Sequence, residues 1–316
     1  MSVKLRGSMV ALVTPFKNNR VDEAALKRLV EFHIANGTSA LVPCGTTGES
    51  ATLSVDEHGR VIELVIQTAR GRVPVIAGTG SNNTEEAIAL TRHAKRAGAD
   101  AALLIAPYYN RPTQRGLYLH FKAIADAVDL PLVVYNIASR TAVNIEPETF
   151  AKLAELPNIV GVKESSGSLE QMSRIQVLTK RRLALISGDD ALTLPVLAIG
   201  GVGVISVVAN LVPQDVAALV RAFEQGKTQQ AIELHERLLP LVKAMFVETN
   251  PVPVKTAMGL LGMIEPSVRL PLCDLEPSSR EKVQAALAAY GLKPGVLDRV
   301  AASSAAKPRT AKKARA

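Results

Sequence analysis

The chain has 316 residues, of which 47% are hydrophobic and 21% charged, with aromatic residues at 3% and no tryptophan. This is the profile of a soluble globular protein packed by Ala, Val, Leu and Ile, and no apolar run reaches the ~18 residues of a membrane span. Two cysteines, Cys44 and Cys273, exclude a disulfide scaffold and suit a reducing, cytoplasmic setting. The amino-terminal MSVKLRGSMVALVTPF lacks a long apolar segment followed by a small-residue cleavage site, so no signal peptide is expected. Five of the +8 net charges lie in KPRTAKKARA, from residue 307 onward. Residues 296–316 are therefore expected to form a disordered basic tail, poor in large apolar side chains. Beyond a weak polyanion affinity of that tail, no nucleic-acid or membrane partner is expected.

In chain order, eight short apolar runs are predicted as strands: MVALVTPF (9–16), SALVPCG (39–45), VPVIAGTG (73–80), AALLIAPYY (101–109), LPLVVYN (130–136), NIVGVKES (158–165), LALISGDD (183–190) and GVGVISVVAN (201–210). Their hydrophobicity is nearly continuous rather than alternating, which marks parallel strands covered on both faces. Helices are predicted between them. The segment 21–37 has an acidic first turn and stops at Gly37. Segments 54–71 and 83–98 carry Ser54 and Asn83 or Thr84 as N-caps, with Gly71 and Gly98 as stops.

Eight such units in about 210 residues predict an α/β fold, a closed (β/α)8 TIM barrel over residues 1–212. A doubly wound open sheet is the runner-up, but its glycine-rich phosphate loop is replaced by TPFKNN after the first strand. From 213 to 295 the strand signal vanishes and a C-terminal helical region is predicted, with Pro251 and Pro253 marking a break.

In a TIM barrel, function gathers at the C-terminal strand ends. Those ends read CGTTGES, PYYNRP, YNIASRT, VKESSG and SGDD. Lys163 ends the sixth strand, where an apolar residue would pack without an electrostatic penalty. An amine that attacks a ketone must be uncharged, and a water-poor interior disfavours the ammonium. Its neighbour Glu164 points to the opposite face of the strand, so the two cannot easily pair. Tyr135, ending the adjacent strand, is placed to move protons, and Thr46 and Thr47 to relay a proton or hold a carboxylate. Tyr108 and Tyr109 form an unusual pair, equally suited to packing. Arg140, in a loop without an acidic partner, suits an anionic substrate or plain solvent. The five histidines (His33, His58, His93, His120, His235) lack metal-ligand spacing, and Asp189 and Asp190 are read as helix caps before metal ligands. No metal is expected.

Seven motifs, GTTGES (45–50), PYYNRPTQ (107–114), YNIASRT (135–141), GVKESSG (161–167), SGDD (187–190), GVISV (203–207) and NPVPVK (250–255), together resemble the dihydrodipicolinate synthase family of pyruvate-dependent class I aldolases. The resemblance runs from about Gly7 to about Leu292. It implies condensation of pyruvate with L-aspartate 4-semialdehyde without a cofactor, Lys163 forming the Schiff base. Thr47, Tyr135 and Tyr109 would relay protons, Tyr109 reaching in from a partner subunit. Thr46 and Thr47 would hold the pyruvate carboxylate, Arg140 the second carboxylate, and Gly188 and Ile205 would line the pocket. The assembly implied is a homotetramer, a dimer of dimers.

Ala138 stands where the family commonly has proline, so a less rigid Arg140 segment is expected. Ser50, Ala51, Leu53, His58, Asn82, Glu86 and Tyr108 match an L-lysine effector site, with Val55 where some members have histidine. Weak to moderate lysine feedback is expected. The rival assignment is a sister aldolase, such as N-acetylneuraminate lyase or a keto-deoxy-sugar-acid aldolase or dehydratase, and GTTGE with the SRT arginine speaks against it. A non-catalytic sensor on the same scaffold would be expected to lose the lysine or the relay hydroxyls, which are present.

Overall fold

A computed structural model describes residues 5–295; the basic tail expected over 296–316 lies outside the described residues. The eight predicted strands form as β1 (Gly7–Ala11), β2 (Ala40–Val42), β3 (Ile76–Gly78), β4 (Ala101–Ile105), β5 (Leu132–Asn136), β6 (Ile159–Glu164), β7 (Ala184–Ser187) and β8 (Gly203–Ser206). They pair in parallel in the order β2-β1-β8-β7-β6-β5-β4-β3. A parallel bridge between Leu41 and Val75 brings the two edge strands together and closes the barrel.

Strand alternation sorts the apolar residues into two layers. Met9, Val42, Ile76, Leu103, Val133, Tyr135, Ile186 and Ile205 fill the barrel interior. Val10, Leu41, Leu104, Val134, Val162, Leu185 and Val204 face the helices instead. The same alternation puts Lys163 inside with Tyr135, and Glu164 outside.

The outer helices start and stop where short-range chemistry directs. Ser54 and Glu57 form a reciprocal capping box before the helix Val55–Ala69. Asn83, rather than Thr84, caps Thr84–Ala97 by accepting from the Glu85 and Glu86 amides, and Gly98 ends it at φ +95°. The helix Pro213–Glu224 returns against β1 as the eighth outer helix. Thr228–Ala244, Val252–Leu260 and Pro277–Tyr290 follow. Pro251 is the N-cap of Val252–Leu260 and Pro253 lies in its first turn, so neither interrupts a helix.

One element has no apolar signature. Phe16–Lys17 pairs antiparallel with Arg20–Val21 across Asn18 and Asn19, both at positive φ (50° and 58°). Consecutive asparagines supply the left-handed turn of a two-residue hairpin, so TPFKNN is a turn-forming segment. No helix among the described residues is long and apolar enough to cross a membrane.

Candidate active site

Register places Tyr135 beside Lys163 on β5 and β6, and Lys163 beside Ile186 on β7. Lys163 is only 6% exposed, and its Nζ stands 4.1 Å from the centroid of the Tyr135 ring. Glu164 is fully buried on the opposite face. Its carboxylate accepts from the Ser166 amide at 2.7 Å, from Asn136 Nδ2 at 3.1 and 3.2 Å and from Gln171 Nε2 at 3.3 Å. Burial pushes that carboxyl upward, against the pull of those hydrogen bonds. The acid next to Lys163 in sequence is thus engaged elsewhere.

Gly188, just after β7, leaves the space the lysine occupies. A Cβ there would lie 1.9 Å from Ser165 Oγ and 3.0 Å from Lys163 Cε. Ile205 is buried in the interior, in the same apolar cluster as Tyr135 and Ile186. The Ser165 hydroxyl is buried without a partner among the described residues. It carries no sequence signal beyond its place two residues after the lysine.

After β2, the loop with Thr46 and Thr47 packs hard against backbone. A Cβ on Gly48 would sit 3.0 Å from both Cys44 N and Leu12 O. Thr47 is buried, and its Oγ1 accepts from Asn250 Nδ2 at 3.0 Å. Glu49 takes a left-handed conformation (φ 54°), and its Oε1 receives Lys255 Nζ at 2.5 Å. Lys255 Nζ also donates to Thr14 O at 3.0 Å and stands 4.2 Å from the Phe16 ring centroid. Desolvation pulls the Lys255 ammonium down from its ordinary value, and the Glu49 carboxylate opposes this. Sequence reading missed Asn250, Glu49 and Lys255 as partners, because each contact joins positions about two hundred residues apart.

Arg140 corrects the sequence reading, since it belongs to a single helical turn, Ala138–Thr141, rather than to a loop. Arg140 Nη2 donates to Asn250 O at 3.1 Å. Tyr109 is not brought to the site within one chain. It is 90% exposed, at φ 69°, on the segment after β4. Asp189 accepts from the Ala191 amide at 2.9 Å, as a cap does. Asp190 is buried, held by Ser206 Oγ and by the Val207 and Val208 amides.

A cavity of about 480 Å³ joins Thr46, Arg140 and Asn250 to Ser50, Ala51, Leu53, His58, Glu86 and Tyr108. Asn82 stands outside its lining but donates through Nδ2 to Tyr108 O at 3.2 Å. Burial lowers His58 to about 4, so it is neutral at physiological pH.

Residues 4–290 match the model of the dihydrodipicolinate synthetase family. A 4-hydroxy-tetrahydrodipicolinate synthase of Syntrophus aciditrophicus is 58% identical over 287 residues, 91% of this chain and 99% of the relative. The crystal structure of dihydrodipicolinate synthase from Aquifex aeolicus superposes with a TM-score of 0.90 at 50% identity, covering 92% of this chain and 100% of that one. The enzyme from Cyanidioschyzon merolae, determined with lysine bound, gives a TM-score of 0.87 at 44% identity over 90% and 98% of the two chains. A match over nearly the whole barrel and its C-terminal helices leaves one assignment: the chain belongs to the dihydrodipicolinate synthetase family.

Proposed function

We propose that the chain is a 4-hydroxy-tetrahydrodipicolinate synthase, condensing pyruvate with L-aspartate 4-semialdehyde in the diaminopimelate route of lysine biosynthesis. Lys163 Nζ attacks the keto carbon of pyruvate, and loss of water leaves an iminium. A methyl proton is then removed to give the enamine, whose carbon attacks the aldehyde. The amine of the second substrate closes onto the iminium carbon and displaces Lys163, so the enzyme amine is regenerated. The lysine supplies the electron sink, and the steps need no metal or organic cofactor.

Tyr135 is the nearest general acid and base, with Thr47 and the partner copy's equivalent of Tyr109 completing the relay. Thr46 and Thr47 receive the pyruvate carboxylate on their loop, with Gly188 and Ile205 shaping the space around it. Arg140, in the wall of the cavity, pairs with the carboxylate of the semialdehyde. The observation that carries this reading is a buried lysine amine over the Tyr135 ring at a strand's C-terminal end. Reduction with borohydride in the presence of pyruvate, followed by peptide mass mapping, tests it. The adduct is expected on Lys163, and an adduct elsewhere or none at all overturns the reading.

An exposed Tyr109 supports assembly through that surface, in a dimer and then a dimer of dimers. The cavity beside Ser50, His58 and Glu86, together with a lysine-bound relative, supports L-lysine as an effector. Val55 removes one imidazole from that site, so inhibition is weak to moderate; full activity at millimolar L-lysine overturns it. Two unpaired cysteines suit a reducing cytoplasm.

A further inference from the structure

The NPVPVK segment (250–255) carries polar side chains that the chemistry above does not use. Asn250 is 5% exposed and makes two contacts with the site. Its Nδ2 donates to Thr47 Oγ1 at 3.0 Å, and its backbone carbonyl accepts from Arg140 Nη2 at 3.1 Å. Five residues on, Lys255 holds Glu49 of the same loop as Thr47. The loop is therefore gripped at two points by one segment of the C-terminal region.

We propose that Asn250 is a positioning residue that sets the direction of the proton relay and registers it with the anion-binding arginine. A hydroxyl has one proton to give and lone pairs to receive. The amide N–H of Asn250 occupies a lone pair of Thr47 and accepts nothing in return. The Thr47 proton cannot be spent on Asn250 and is left for the phenol of Tyr135, the next member of the relay proposed above. Threonine thereby becomes a donor to the tyrosine, and the phenol oxygen is left free to take or return a proton on its substrate side. Meanwhile Asn250 Oδ1 is buried and has no partner among the described residues. An amide kept for packing alone would satisfy both ends or give way to an apolar residue, because an unmatched buried carbonyl is unfavourable. Contact with Arg140 runs through the backbone, so it survives any change of side chain.

This inference rests on the relay proposed above, and a double-mutant cycle separates the two. Asn250→Ala is expected to lower kcat about 10- to 100-fold, within the range of general acid–base catalysis. KM for the semialdehyde should stay within about twofold, because the arginine contact is retained. Added to Thr47→Val, the same change is expected to cost nothing further, since the hydroxyl it orients is already gone. Asn250→Asp keeps the shape but offers only acceptors, so it captures the Thr47 proton and lowers kcat at least as far as alanine. Borohydride trapping with pyruvate in each variant shows that the barrel and lysine are intact. Losses that multiply in the double variant, or an Asn250→Asp enzyme with wild-type kcat, overturn the inference while leaving the relay standing. Wild-type kcat in Thr47→Val alone overturns the relay itself, and this inference falls with it.

Discussion

Lys255 Nζ lies 2.5 Å from Glu49 Oε1, and neither side chain has any exposed surface. The pair joins the helix Val252–Leu260 to the loop that carries Thr46 and Thr47, so the loop's position depends on the C-terminal region rather than on β2 alone. The Arg269 amide adds a second contact to Glu49 at 3.2 Å, and Arg269 itself pairs with Glu57 at 2.6 Å.

Breaking this pair from one side leaves a buried charge without its counter-charge. Lys255→Met is expected to destabilise the fold by about 3–5 kcal/mol. Adding Glu49→Gln, which removes the remaining charge and keeps the shape, should restore part of that loss. Urea unfolding at fixed protein concentration measures both. A single variant within about 0.5 kcal/mol of wild type, the scale of a surface change, contradicts the prediction.

Space at Gly188 is a second requirement. Gly188→Ala places a methyl group against Ser165 Oγ at 1.9 Å and Lys163 Cε at 3.0 Å, and both must move. The rate of borohydride trapping with pyruvate should fall by about tenfold or more, the sensitivity expected when a reacting group is displaced by an ångström. Removing the hydroxyl as well, in Gly188→Ala with Ser165→Ala, should recover part of the rate. Equal trapping in all variants would show that the glycine has no role in seating the lysine.

Buried histidines give the stability a predictable pH dependence. His33 is fully buried, its Nδ1 3.1 Å from Thr38 Oγ1, and burial lowers it from its ordinary 6.5 to about 3. The unfolded chain takes up a proton below pH 6.5 that the folded chain refuses until about pH 3. Stability contributed by neutral burial is therefore complete above pH 6.5 and is lost as pH falls toward 3. Glu164 and Asp190, both raised by burial, act in the opposite sense. The comparison of wild type with His33→Gln isolates the histidine. Between pH 6 and 4 the wild type should lose about 1.4 kcal/mol more per pH unit than the variant. Parallel pH profiles contradict this.

Lys163 and Tyr135 were legible as strand-end neighbours because continuous apolar runs name the strands, and the polar residues ending them mark the barrel mouth, whereas Gly188 came from the family resemblance alone. Strand alternation also separates Lys163 from Glu164 without a structure. Asn250, Glu49 and Lys255 were not legible as a clamp. Proline residues around Asn250 announce only a break, and nothing local says which loop the freed amide will meet. The helical turn at Arg140 was missed because four residues are too few for a periodic signal. Asn18 and Asn19 carried a hairpin in their turn chemistry alone, with strands too short for any apolar pattern.

Tyr109 is the one proposed relay member that a single chain leaves in solvent, at 90% exposure. If it serves the site of a neighbouring copy, two inactive variants should complement each other. A Lys163→Ala subunit keeps Tyr109, and a Tyr109→Ala subunit keeps Lys163, so a hybrid dimer holds one complete site and one lacking both groups. Random mixing makes about half the dimers hybrid, and a symmetric interface gives each of those one working site. The refolded mixture should therefore recover about a quarter of wild-type activity while each parent stays nearly inactive. A mixture no better than the mean of its parents would mean that Tyr109 acts within its own chain or not at all.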